Sequence, residues 1–485
     1  MPLHPIKGGV HPEGHKAQTN AAPIARLPLP ARLFVPLAQH IGLPAEACVR
    51  EGQQVKKGEL IGSAQGSVSA AVHAPTSGTV LAIAPYTAPH PSGLPLLTVV
   101  IDPDGKDEWA DLHTPRDPFD LMPEEIAARL AAAGIVGMGG ATFPAAVKLS
   151  TAVQKHVDTL IINGGECEPY LTCDDRLMRE RADQIIDGVR ILLHAIGHGR
   201  ALIAVEDNKP EAIDALRAAA RGFDPIEIVP VPSLYPMGSE KQLIFALLGR
   251  EVPAGALPAQ LGVTVQNVAT AAAVSEAIRH GRPLLSRVIT VGGAVRVPQN
   301  VEALIGTPMQ ALIDFCGGFT EPPARLIMGG PMMGHVVPNM QVPVVKGSSG
   351  LLALTARDLP ETKARPCIRC GSCVQACPCG LMPLEMAARI RQDDFKGAAA
   401  YGVTDCISCG SCAYVCPSHI PLVQYFNHAK GHLALEHARE RQAAEIRALT
   451  EAKKLRQARE AEAKRARALA AKQAREKAAA SEKTP

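Results

Sequence analysis

The chain has 485 residues, of which 47% are hydrophobic and 20% charged, and its formal net charge is +3. At roughly 100–200 residues per domain, this length predicts three or four folded domains. Glycine and proline, 42 and 41 residues, fall short of the share typical of low-complexity chains, so most of the chain is globular. The sequence has no uncharged apolar run of about 18–20 residues, which predicts that any membrane association is peripheral.

The sequence contains 13 cysteines, and most of them fall between Cys367 and Cys416. The first residues lack a basic segment followed by an apolar run, so we expect no secretory signal peptide and a reducing compartment. Thiols clustered in such a compartment indicate a metal site rather than a disulfide framework.

The predicted elements begin with an N-terminal segment, residues 1–27. Residues 28–110 contain short apolar stretches between turn signals, which predicts a small β domain. Residues 115–285 alternate helix-like and strand-like segments, which favours a doubly wound α/β domain. Residues 286–345 return to short strands.

The cysteine motifs lie in residues 355–430, and residues 431–485 form a tail rich in Ala, Lys and Glu. Residues 430–485 carry 15 Lys/Arg and 8 Asp/Glu, so the basic charge of the chain is concentrated there. This composition predicts a solvated, partly helical extension. A helix lying on an anionic membrane surface is the alternative.

Two segments repeat the pattern Cys-x2-Cys-x2-Cys-x3-Cys-Pro without gaps. In two-cluster ferredoxins with this pattern, the first three cysteines bind one [4Fe–4S] cluster and the fourth binds the other. We therefore predict one cluster on Cys367, Cys370, Cys373 and Cys416, and a second on Cys377, Cys406, Cys409 and Cys412. Paired zinc sites, the alternative, would leave two cysteines of each run without a role. Cys379 is predicted to be a packed thiol.

A glycine-rich loop precedes a helix in the α/β region and contains Gly137, Gly139 and Gly140, followed by Phe143 and Lys148. Glycines let backbone N–H groups approach a phosphate or a flavin ring closely, and a lysine one turn later supplies a positive charge. A tight structural turn is the alternative interpretation.

An acidic loop, containing Asn163, Glu166 and Glu168, follows a short apolar strand, where open α/β sheets bind ligands. An extended loop would put Glu166 and Glu168 on one face, with both carboxylates lining one pocket. Ribose hydroxyls of a nicotinamide nucleotide would be suitable partners for such carboxylates. A solvated acidic turn is the alternative.

These loops resemble motifs of the NADH-oxidising flavoprotein subunit of respiratory complex I. The segments Tyr235–Lys241 and Val265–Thr270 extend the resemblance. It implies that the flavin candidates are Gly137, Gly139, Gly140, Lys148, Asn163, Asn267 and Thr270, and that Glu168 and Glu240 lie near the nicotinamide. Phe143 and Glu166, in the same two loops, are further candidate cofactor-binding residues. No side chain need act as a nucleophile or general base.

The whole order of domains resembles the C-subunit family of Rnf-type ion-translocating oxidoreductase complexes. This resemblance implies a multidomain α/β and β protein: a barrel-sandwich (lipoyl-like) domain, a Rossmann-like FMN/NADH domain, a β-grasp domain of the soluble-ligand-binding type, an α-helical dicluster ferredoxin domain and a helical tail. The implied cofactors are FMN and two [4Fe–4S] clusters, with NADH as substrate.

The implied activity is that of an oxidoreductase and translocase subunit that passes electrons between NADH and a low-potential acceptor, with this transfer coupled to ion translocation. The implied partners are integral-membrane and peripheral subunits at the cytoplasmic face of the bacterial inner membrane, and no nucleic acid. Two alternatives remain open: a soluble NADH-dependent flavin and iron–sulfur reductase, for example of the cobalamin reductase type, and an electron-relay module that binds clusters but no nucleotide.

Overall fold

The computed structural model describes residues 2–90, 92–115, 117–197, 199–359 and 363–481. The chain forms two compact units, one running up to Leu384 and including Asp405–Val423, the other comprising Glu385–Thr404 and the residues from Gln424 onward. In the part of the chain that is described, we find no helix with both the length and the apolar character that crossing a membrane requires.

The first domain of the first unit is built from antiparallel strands. After the short strand β1 (Ala25–Arg26), its strands are β2 (Leu33–Pro36), β3 (Glu46–Ala47), β4 (Gln54–Val55), β5 (Leu60–Ser63), β6 (Val72–His73), β7 (Gly78–Tyr86) and β8 (Leu96–Pro103). They form one sheet in the order β2-β8-β7-β4 and another in the order β3-β5-β6. Val99 and Ile101 are fully buried because alternate residues of a strand point to one face.

The second domain is a parallel sheet with helices. Its strands are β9 (Thr159–Gly164), β10 (Arg200–Glu206), β11 (Ile226–Val231) and β12 (Val263–Asn267), and its helices are α1 (Pro123–Ala132), α2 (Ala145–Gln154), α3 (Cys173–Glu180), α4 (Ala182–Ile196), α5 (Pro210–Ala219), α6 (Glu240–Leu248) and α7 (Val268–His280). The strand order is β11-β10-β9-β12, and all pairs are parallel. The order reverses beside β9, so the switch point, where such sheets bind ligands, lies between β9 and β12.

The third domain is a six-stranded sheet in the order β1-β14-β13-β17-β15-β16. Its further elements are β13 (Ser286–Gly293), β14 (Gln299–Leu304), α8 (Met309–Phe315), β15 (Arg325–Met328), β16 (His335–Val336) and β17 (Gly350–Leu354). β1 and β17 lie outside the predicted range of residues 286–345. β1 pairs in parallel with β14, and β17 pairs in parallel with β13. Such distant pairings leave no local signal in the sequence.

Lys346 contacts the first two domains from the end of the third, and its burial leads us to expect that stability depends on pH. Its ammonium group donates to the carbonyls of Ala71 and Gly134, each at 2.6 Å, and burial lowers its pKa to about 7. The unfolded lysine titrates near 10.4, so between about pH 7 and 10 the unfolded state binds more protons, and the free energy of unfolding rises with pH. We expect Lys346→Met to flatten this rise in denaturant titrations at pH 7–9, whereas Lys155→Met, at an exposed position, keeps it.

The remaining helices belong to the cysteine segment and the tail: α9 (Ser372–Gln375), α10 (Pro383–Ile390), α11 (Phe395–Ala400), α12 (Ser411–Tyr414) and α13 (Leu422–Ser481). In the second unit, the ring of Phe395 stacks on His432 at 4.4 Å, and Lys396 pairs with Glu436 at 2.8 Å. From His437 to Lys477 every side chain is exposed. Up to Ser481 the tail is therefore one continuous helix, solvated as far as Lys477, where the sequence predicted partial helicity.

Candidate functional site

Asn163 and Asn267 lie side by side at the carboxyl ends of β9 and β12, where they are register partners. The Asn163 amide donates to the Gly238 carbonyl at 2.7 Å and accepts from the Gly165 N–H at 2.9 Å. The side-chain oxygen of Asn267 caps α7, and its side-chain nitrogen donates to the Asp174 carboxylate at 2.7 Å. The two asparagines therefore organise the loops at the switch point of the sheet.

The glycine loop crosses this edge of the sheet. Its base is closed by the Gly137 N–H, which donates to the Phe143 carbonyl at 2.8 Å. A Cβ on Gly139 would lie 3.5 Å from that of Asn267, and a Cβ on Gly140 would have no atom within 4 Å. Both glycines are exposed, so the loop presents bare backbone to open space beside Asn267. Such a cradle fits a flavin mononucleotide.

Thr270 supports the glycine loop from its buried side. Its hydroxyl accepts the Met138 N–H at 3.0 Å, and the buried Arg287 guanidinium donates to the Met138 carbonyl at 3.4 Å. Burial lowers the pKa of Arg287. Thr270 and Arg287 thus hold the conformation of the loop, a role that the sequence did not reveal for Arg287.

Lys148 on α2 and Glu240 at the start of α6 form an ion pair of 2.6 Å between Nζ and Oε2. Both side chains are partly exposed. Lys148 was predicted to supply charge to the flavin, and Glu240 was predicted to lie near the nicotinamide. The two residues are therefore adjacent at one edge of the site.

Glu166 and Glu168 are not directed into one pocket, and that expectation is wrong. The Glu166 carboxylate accepts from the Asp174 N–H at 2.9 Å at the N-terminus of α3, whereas Glu168 accepts from the N–H groups of Met332 and Met333 at 3.0 and 2.8 Å. Burial raises the pKa of each carboxyl to about 7.

The reason lies in the backbone of the acidic loop. The N–H groups of Glu166 and Cys167 donate to the carbonyls two residues earlier, so the loop turns. The alternation of faces that an extended strand would give is lost.

Lys16 of the N-terminal segment anchors the acidic loop, which the sequence did not predict. Its ammonium group donates to the carbonyls of Glu166, Glu168 and Leu171 at 2.7, 3.0 and 2.7 Å. All three ammonium protons thus have acceptors. Desolvation lowers its pKa, opposed by the nearby Glu166. Because the partners lie about 150 residues away, no local motif indicates this contact.

The eight predicted cluster cysteines fall into the two crossed groups. The pKa of Cys412 is raised by burial and then by its neighbours Cys409, Cys406 and Cys377. Cys373, whose pKa is raised by burial, has a different set of neighbours: Cys416, Cys370 and Cys367. Each set of four thiols is therefore brought together from both repeats.

Backbone donors also surround these sulfurs. Three N–H groups each lie 3.4 Å from a cysteine Sγ, those of Arg369 to Cys367, Leu381 to Cys377 and Ser408 to Cys406. No disulfide joins any of the 13 cysteines, all of which lie in the described part of the chain. Converging thiols with N–H groups directed at them suit [4Fe–4S] clusters, whose potentials depend on such hydrogen bonds.

Known domain families match most of the chain. The RnfC barrel sandwich hybrid domain matches residues 4–106, the Nuo51 FMN-binding domain residues 130–276, the SLBB domain residues 288–336, and the 4Fe-4S dicluster domain residues 366–420. These matches confirm the predicted fold class and the predicted cofactors, FMN and [4Fe–4S] clusters.

The C subunit of the ion-translocating oxidoreductase complex of Rhodobacter capsulatus is 55% identical over 440 residues, which cover 90% of this chain and 85% of that protein. The chain belongs to this C-subunit family. A second relative, from Clostridium ljungdahlii, is named as the C subunit of a proton-translocating ferredoxin:NAD(+) oxidoreductase complex. It is 46% identical over 431 residues, which cover 88% of this chain and 94% of that protein.

Membership in the C-subunit family confirms the resemblance found in the sequence and makes the chain an electron-transfer subunit of an Rnf-type complex. Among solved structures, a chain of an NAD+-reducing [NiFe]-hydrogenase in the H2-reduced state has a TM-score of 0.48 and 19% identity, covering 64% of this chain and 61% of that one.

Proposed function

We propose that this protein is the electron-input subunit of its complex, passing electrons between NADH and a low-potential acceptor through FMN and two [4Fe–4S] clusters, with coupled ion translocation. This activity belongs to the translocase class of enzymes. The protein would bind integral-membrane and peripheral partner subunits at the cytoplasmic face of the bacterial inner membrane, and no nucleic acid.

The observation that carries this proposal is the convergence of three loops and a helix start at one edge of the parallel sheet. The glycine loop, the loop after β9, the loop before α6 and the start of α7 meet around Asn163 and Asn267. The loop before α6 also contacts the cysteine segment through Tyr235. The proposed flavin site and the proposed cluster site are thus both contacted by the stretch from Tyr235 to Gly238, which supports the proposal.

The residues have separate tasks in this proposal. Backbone groups of Gly137, Gly139 and Gly140 would bind FMN, with Phe143 beside them and Lys148 supplying charge. Asn163, Asn267 and Thr270 would shape the site, and Glu166 would hold the loop in place. Bound FMN supplies an acceptor for two electrons that it can release one at a time.

Glu168 and Glu240 are proposed to lie near the nicotinamide. Glu240 is the more accessible of the two, because its carboxylate is engaged by a single partly exposed lysine. Glu168 is held by two backbone N–H groups of the third domain, so it would act mainly by positioning the acidic loop. No side chain at the site need act as a nucleophile or general base.

An anaerobic NADH titration of the reconstituted chain tests the function. We expect NADH to bleach the flavin absorbance and then that of the clusters. Gly139→Val should weaken FMN binding by at least about tenfold, since a branched side chain fills the cradle, a loss of roughly 1.4 kcal/mol or more. Its iron content should stay unchanged.

Gly431→Val is the matched control, because a Cβ at Gly431 has no atom within 4 Å. It should bind FMN as the wild type does. A chain that holds about eight irons but neither binds FMN nor reacts with NADH would be a cluster-only relay module. A chain that fractionates from cells free of the membrane would instead support the soluble reductase.

A further inference from the structure

We propose that Tyr235 is a positioning residue for the cluster of Cys377, Cys406, Cys409 and Cys412, and that this cluster is the inner one, facing the flavin loops. The cluster of Cys367, Cys370, Cys373 and Cys416 is then the outer one. This inference rests on the proposed function, because the flavin loops define the inner side.

Tyr235 links a flavin loop to a cluster ligand directly. Its hydroxyl donates to the main-chain carbonyl of Cys409 at 2.5 Å, and both residues are buried. Three residues further on, the Gly238 carbonyl accepts the amide of Asn163. The stretch from Tyr235 to Gly238 therefore contacts a proposed flavin residue at one end and a proposed cluster ligand at the other.

The backbone of Tyr235 is held by the N-terminal segment. Its N–H donates to the Val10 carbonyl at 3.0 Å, and its carbonyl accepts the Val10 N–H at 2.8 Å. The adjacent Gly9 N–H donates to the Ala376 carbonyl at 3.0 Å. This segment thus lies between the flavin domain and the chain that leads into Cys377.

Gly8 shows how close this approach is. Its φ is +63°, which favours glycine, and a Cβ there would lie 2.6 Å from the Cys377 carbonyl oxygen. The N-terminal segment therefore touches Cys377 of the first repeat while Tyr235 binds Cys409 of the second. In the crossed assignment both cysteines belong to the same cluster, which is why we place that cluster on the inner side.

Burial distinguishes the two ligand sets. Val10, Tyr235, Ala376 and Cys409 form a small buried core, with Cys167 of the acidic loop packed against it. Cys412 of the same ligand set is buried as well, whereas Cys367 and Cys370 of the other set are exposed. Solvent exposure and hydrogen bonds near the ligands both change the potential of an iron–sulfur cluster. Removing the Tyr235 hydroxyl should therefore affect one cluster and not the other.

The test is Tyr235→Phe, examined by EPR and redox titration with dithionite as reductant. Two backgrounds, Cys370→Ser and Cys412→Ser, each leave one cluster for separate measurement. We expect Tyr235→Phe to shift the midpoint potential and the g-values of the cluster that remains in Cys370→Ser, and to leave unchanged the cluster that remains in Cys412→Ser. Tyr414→Phe, at an exposed tyrosine of the cysteine segment, is the control and should shift neither.

An unchanged inner cluster, or a shift confined to the outer one, would overturn the inference. If Tyr235→Phe does not fold, the same two backgrounds without it still decide which cluster is inner. A soluble dysprosium chelate should then speed the relaxation of the outer cluster more than that of the inner one, and the reverse order contradicts the proposal. Dithionite replaces NADH in these measurements, so failure of the NADH titration bears on the proposed function alone.

Discussion

Cys377→Ser is expected to lower the iron content from about eight to about four atoms per chain, because it removes a ligand from one of two four-iron clusters. The lost cluster should be the one whose other ligands are Cys406, Cys409 and Cys412, although Cys377 lies in the first repeat. EPR of the reduced protein should then show a single cluster without the coupling between two neighbouring spins.

Cys379→Ser is the matched control, two residues along the chain, and should retain about eight irons. Cys379 needs a direct test because it lies close to Cys377, Cys409 and Cys406, and burial raises its pKa to about 11. The double variant C377S/C379S removes this neighbouring thiol as a substitute ligand. Iron loss in Cys379→Ser with full iron in Cys377→Ser would reassign the fourth ligand.

Lys16→Met should destabilise the first unit by about 2–5 kcal/mol, since it leaves three carbonyls of the acidic loop without their charged donor. The methionine stem preserves most of the packing, so the loss reports the hydrogen bonds. Because Lys16 anchors Glu166 and Glu168, FMN should also dissociate faster. Denaturant unfolding of the apoprotein and the recovery of flavin fluorescence measure the two effects.

Lys7→Met is the control for this substitution, since Lys7 lies in the same N-terminal segment and is exposed. Its expected effect on stability is within about 0.5 kcal/mol. If the two substitutions changed the free energy of unfolding equally, the effect could not be assigned to the hydrogen bonds of Lys16. A stable Lys16→Met protein with normal FMN binding would contradict the anchoring role.

The parts of the site that depend on local spacing were predictable. The cysteine runs, the glycines from Gly137 to Gly140, and Asn163 at the end of an apolar strand all carry their chemistry in a few consecutive residues. The parallel strands were also predictable, because a strand such as β10 is buried from Ala201 to Val205, where the sequence is an apolar run.

The direction of the acidic side chains could not be predicted. The sequence allowed an extended loop with Glu166 and Glu168 on one face, and short turns within the loop separate them instead. Glu168 finds its partners in Met332 and Met333, which a β-sheet of another domain brings close. The alternation of side chains between two faces holds only for extended backbone, and it is lost where the backbone turns.

The sequence by itself determined the family, the fold class, the kinds of cofactor and the eight candidate cluster ligands, because each rests on local motifs and on their order along the chain. Only the tertiary structure decided what holds these parts together. The contacts of Lys16 with the acidic loop and of Tyr235 with Cys409 join residues more than 140 positions apart. Such contacts depend on how the domains pack, and packing leaves no periodic pattern in the sequence.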